Sequence, residues 1–154
     1  MSLFLAFLIG FFAGLRSLTP LAATAWAAHL GWLKLQGTLA LMGSVYSVAI
    51  FTVLALGELV ADKWARIPSR ISVAPLIARI LTGGLAGACV AAAAGQNALP
   101  GAALGAAGGI AGAFCGYHAR KRLVQALGVP DFAIAVLEDL VAIGGCVWIV
   151  SRFG

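Results

Sequence analysis

Glu58 with Asp62, and Asp131 with Glu138 and Asp139, hold all five carboxylate side chains of this 154-residue chain, and they fall in two tight groups. Charge that sparse in an apolar sequence points to chemistry, because a carboxylate or guanidinium near a bilayer centre costs about 2.5–3.5 kcal/mol on insertion scales. Glu58 and Asp62 are four apart, so on a helix they share a face about one turn from each other. Such like charges require a proton, a cation or an arginine between them. Glu138 and Asp139 are adjacent and point about 100° apart on a helix. One of them could face Glu58 across a bundle while the other takes an arginine. Glu58, Asp62, Glu138 and Asp139 together would suit a hard divalent cation such as Mg²⁺ or Ca²⁺, which prefers oxygen ligands, or a proton relay. The plainer alternative is a set of Arg–carboxylate pairs that lock helices together.

The cations able to join them are Arg16, Arg79 and Arg120. Arg16 follows an uninterrupted apolar run and precedes Pro20, so flanking a span does not explain it. A guanidinium fork also suits the carboxylate or phosphate of an anionic solute or lipid. For Arg79 and Arg120 the competing role is snorkelling to the headgroups.

These groups must be positioned by membrane-embedded helices. Apolar residues make up 62% of the chain and charged ones 10%, with a mean hydropathy of +1.05. Soluble domains carry about 25% charged residues. A single integral membrane domain over 1–154 follows, all-α, a polytopic bundle of about five spans, since each span takes about 20 residues. The spans are expected at residues 2–33, 37–61, 75–94, 101–117 and 131–151. The first is too long for one ordinary span and is broken near Pro20, which lacks a donor, while Ser17 and Thr19 can satisfy freed backbone groups. Residues 1–15 resemble a signal-peptide core, but the absence of Lys or Arg before it and the interruption at Arg16 favour a retained span.

The loop 63–75, with Lys63, Arg66 and Arg70, and the run at 118–122 lie two spans apart and so reach one side. The positive-inside rule makes that side cytoplasmic, in a bacterial cytoplasmic (inner) membrane. Five crossings give a cytoplasmic amino end, and a re-entrant hairpin at Arg16 to Pro20 would move that end outside. The formal charge of +5 lies mostly at span ends, with no basic domain to hold nucleic acid.

Gly101, Gly105 and Gly109, and Gly108, Gly112 and Gly116, form overlapping small-residue stripes on the fourth span, with Gly83 and Gly87 on the third. Such stripes bring helices close in lipid, within one chain or in a homo-oligomer. Cys89, Cys115 and Cys146 read as packing residues, His29 and His118 as interfacial, and Trp26, Trp32, Trp64 and Trp148 as interface anchors. No phosphate-binding glycine loop, Ser/His/Asp set or HExxH is present in the sequence.

Gly14-Leu15-Arg16-Ser17-Leu18-Thr19-Pro20, Gly57-Glu58-Leu59-Val60-Ala61-Asp62-Lys63 with Pro68-Ser69-Arg70, Gly116-Tyr117-His118-Ala119-Arg120-Lys121-Arg122, and Pro130-Asp131 with Leu137-Glu138-Asp139 carry a resemblance. In these segments the chain is similar to a family of small bacterial membrane proteins catalogued as domain of unknown function 4126. The resemblance implies a compact multi-pass protein and leaves activity to the residues. They favour a small transporter or channel with an intramembrane carboxylate/Arg site for a proton, a cation or an anionic substrate. The alternatives are a metal-dependent enzyme acting on a lipid phosphate, for which no nucleophile is evident, and a non-catalytic assembly protein.

Overall fold

A computed structural model of the chain describes residues 1–64 and 72–154, and for 62–64 the backbone alone. The Asp62 carboxylate, the Lys63 and Trp64 side chains and the loop residues Arg66, Pro68 and Arg70 lie outside the described residues. Among the described residues there are six α-helices: α1 (Ser2–Leu15), α2 (Thr19–His29), α3 (Val45–Trp64), α4 (Val73–Ala93), α5 (Ala98–Leu127) and α6 (Asp131–Val150). No strand occurs among the described residues. Helices are what an apolar medium demands, since each must satisfy its own backbone donors and acceptors. α4, α5 and the stretch from Asp131 to Phe153 are each long and apolar enough to cross a membrane. The protein is an integral membrane protein.

The second apolar segment begins later than expected. Residues Gly37–Gly43 form a 3-10 turn bent by 62° from α3. Extended Ser44 makes the corner, and its hydroxyl accepts the Ser47 N–H at 3.1 Å, as an N-cap does. The fourth runs further than its apolar stretch, because the Ala-, Arg- and Lys-rich residues after Tyr117 are good helix formers. At 30 residues α5 is about 45 Å long against a hydrocarbon core of about 30 Å. It starts where Asn97 accepts the Leu99 N–H at 3.0 Å and stops at Gly128, whose φ of +61° is left-handed.

α1, α4 and α5 form the tightest part of the bundle. A Cβ at Gly83 would lie 2.7 Å from the Gly105 carbonyl oxygen, and one at Gly109 would lie 2.6 Å from that of Arg79. Gly10 of α1 meets Gly105, and Gly108 and Gly112 meet the carbonyls of Phe7 and Phe11. The small-residue stripes are thus occupied by contacts within one chain. These pairings make α1 parallel to α5 and α4 antiparallel to both.

The first apolar segment is broken where Pro20 predicts, and its two halves double back on each other. Gly145 of α6 lies against Phe12 of α1, while Ile143 and Val147 share a groove with Thr19, Ala22, Ala23 and Trp26 of α2. Gly154 lies against Trp32. Both α1 and α2 therefore extend from the break toward the carboxyl end of α6, as a re-entrant V rather than one kinked crossing. Leu5 and Ile9 of α1, Leu21 and Ala25 of α2 and Cys146 and Ile149 of α6 share the core with Ala86, Cys89 and Val90 of α4.

Candidate functional site

The break consists of Arg16, Ser17 and Leu18, and two other helices each send one carboxylate to it. Arg16 is extended (φ −139°, ψ 114°) and its N–H still closes α1 on the Phe12 carbonyl at 2.9 Å. Its guanidinium turns inward, 1% exposed, and Nε donates to Asp139 Oδ1 at 2.5 Å, with a second nitrogen on the same oxygen. Burial of this kind is tolerated because the charges neutralise each other.

Glu58 serves the backbone. The Ser17 N–H donates to its Oε1 and the Leu18 N–H to its Oε2, each at 2.9 Å. Both amides precede the first turn of α2, where Pro20 has no N–H and no side chain from α2 caps the end. Unsatisfied, each would cost several kcal/mol in lipid. A carboxylate there also faces the positive end of the helix dipole. Just beyond, buried Thr24 donates its hydroxyl to the carbonyls of Pro20 and Leu21 at 2.9 and 3.0 Å.

A second charged group lies nearer one end of the bundle. Arg120 grips Asp131 with both ends of its fork, Nε to Oδ1 at 2.7 Å and a terminal nitrogen to Oδ2 at 2.5 Å. Another terminal nitrogen is 3.7 Å from Glu138 Oε2. Asp131 begins α6 beside the basic run of α5, so Asp139, eight residues on, lies about 12 Å deeper along the helix. The Arg16–Asp139 pair is thus well below the level at which α5 becomes polar.

The adjacent acids of α6 each take an arginine, Glu138 that of α5 and Asp139 that of α1. Neither turns to Glu58. No group of three or more His, Cys, Asp or Glu side chains meets in metal-binding geometry among the described residues. Among the described residues Glu58, Glu138 and Asp139 are thus drawn to three different partners, and the Asp62 carboxylate, the fourth member of the expected cation site, lies outside them. Arg79 is buried in α4, 6% exposed, beside Gly109 of α5. Thr19 and Pro20 are buried and Ser17 half-buried. Asp131 was legible only as one of the acids, although an Asp opening a helix after Pro130 and facing a basic run is a signal of pairing.

Two grooves flank the break. One, of about 230 Å³, lies between α1, α5 and α6 and is lined by Leu15, Arg120, Leu137 and Glu138 among others. The other, of about 200 Å³, lies between α2, α3 and α6 and is lined by Thr19, Trp26, Thr52, Leu59 and Ile143 among others. Arg16 is bracketed in sequence by Leu15 and Thr19, and Asp139 by Glu138 and Ile143. The first groove reaches toward Arg120 and the second toward Trp26, whose indole N–H donates to Thr52 at 3.0 Å. They line opposite halves of α6.

No curated protein and no solved structure matches the chain. A family profile, described as Domain of unknown function (DUF4126), matches residues 3–151, which takes in both charged groups and every helix. The chain belongs to the DUF4126 family.

Proposed function

We propose that this protein is a small membrane carrier for an anionic solute, with Arg16 and the Ser17 and Leu18 amides as its binding cradle. The observation that carries this reading is the charged layer at the break, flanked by two grooves that lie along different halves of α6. Asp139 and Glu58 occupy the cradle as tethered anions. A solute carboxylate or phosphate exchanges with one of them, because the guanidinium fork and paired N–H groups recognise any such group. Re-entrant, broken helices near the midplane are a recurring transporter device for presenting backbone polar groups to a ligand.

α5 runs past Gly14 and the break to its basic residues Arg120, Lys121 and Arg122, and the positive-inside rule makes that side cytoplasmic, in a bacterial inner membrane. The Ser2 end of α1 and the Val150 end of α6 then face outward.

The burial of the Arg16–Asp139 pair equally favours a second reading, a structural lock. Flux of inorganic phosphate, acetate and lysophosphatidate into proteoliposomes separates the two. A carrier shows protein-dependent uptake of at least one anion, reduced about tenfold or more by Glu58→Gln, equivalent to about 1.4 kcal/mol. The paired variant Arg16→Met/Asp139→Leu keeps the fold and abolishes uptake. Uptake unchanged in that variant would leave only the lock.

A further inference from the structure

We infer that the anion is amphiphilic: a single-chain lipid phosphate or carboxylate whose tail lies in the groove between α5 and α6 while its head meets the arginines. This rests on the carrier reading and names its substrate class.

The walls of that groove are almost entirely apolar, with Phe11 and Leu15 at its base and Ile134, Leu137 and Val141 along α6. Leu137 and Val141 are 53% and 50% exposed, and Leu123 and Cys115 across from them are also exposed. Both lips therefore lie on the outer surface of the bundle, and the groove opens sideways. In a membrane that opening faces acyl chains, not water. A hydrophilic ion would have to cross this apolar slot to reach Arg16, whereas an amphiphile arrives in the leaflet with its chain already in an apolar phase.

The charges match the other half of such a molecule. Arg120 lies at the groove, and Lys121 and Arg122 follow it exposed on the same helix, at the level where α5 leaves its apolar stretch. A guanidinium and ammonium cluster there attracts an anionic headgroup. Arg16 directly follows Leu15, which lines the base of the groove. The second groove repeats the apolar lining, with Ala22, Leu56, Leu59, Ile143 and Val147 toward the other leaflet. A tail can thus remain in apolar surroundings on either side of the charged layer while the head passes Arg16.

The test uses the whole chain in zwitterionic proteoliposomes. Transbilayer movement of NBD-labelled lysophosphatidate is followed by dithionite quenching, in parallel with uptake of radiolabelled inorganic phosphate and acetate. The expected result is movement of the labelled amphiphile alone. Filling the groove with Leu137→Trp slows it about tenfold or more, and Lys121→Gln/Arg122→Gln slows it severalfold. Leu81→Trp, the same substitution on a lipid-facing position of α4, retains it. Protein-dependent uptake of phosphate or acetate without movement of lysophosphatidate would overturn this inference and leave the carrier standing. Equal effects of Leu137→Trp and Leu81→Trp would also overturn it, and movement of none of the three anions would overturn both readings.

Discussion

Arg16 ends the first helix and pairs with Asp139 of the last, 123 positions along the chain, with Nε at 2.5 Å from Oδ1. One ion pair thereby ties the apex of the re-entrant V to α6 at a depth where neither charge could stand alone. Removing one partner leaves an uncompensated buried charge. Asp139→Asn is expected to destabilise the protein by about 3–5 kcal/mol, and the paired Arg16→Met/Asp139→Leu variant to recover most of that loss. Thermal unfolding in detergent measures both, and equal stability of Asp139→Asn and the parent would refute the pairing.

Glu58 acts through two backbone amides, not through a cation. Glu58→Ala therefore leaves the Ser17 and Leu18 N–H groups without their acceptor and costs several kcal/mol, about 1–3 kcal/mol for each amide. Glu58→Gln keeps one acceptor oxygen and costs less. Hydrogen exchange localised to residues 17–21 reports the difference, and protection unchanged in Glu58→Ala would contradict the assignment.

Gly105 touches both neighbours of α5, Gly83 and Gly87 on α4 and Gly10 on α1. A leucine there meets backbone that cannot yield, so Gly105→Leu is expected to abolish folded protein on size exclusion in detergent. Gly144, with nothing near its Cβ position, is expected to accept alanine without loss. Folded Gly105→Leu at parental yield would argue against the close packing.

The re-entrant V makes a topological prediction. In a background with Cys115→Ala, single cysteines at Ser2 and Ser151 are expected to react with an impermeant maleimide from one side of the membrane. A cysteine at Lys121 is expected to react only from the other. Labelling of Ser2→Cys and Leu30→Cys from opposite sides would mean that α1 and α2 cross as one span.

Composition and charge placement alone determined that this is an all-helical membrane protein, where its apolar segments lie, and that the first breaks before Pro20. They did so because each reading rests on local physics: transfer cost per residue, the missing N–H of proline, the scarcity of tolerated charge. The arginines and acids drawn into the bundle stood out for the same reason. Their partners were not. Four spaced carboxylates read equally as a cation site or as separate pairs, and only the packing of α1, α3 and α6 decided that Asp139 takes Arg16, Glu58 takes the Ser17 and Leu18 amides, and Glu138 lies beside Arg120. The direction of α2 after the break likewise depended on where α6 offers a surface, a long-range relation that no local spacing encodes. The glycine stripes specified close approach, and tertiary structure decided that the approach is made within one chain.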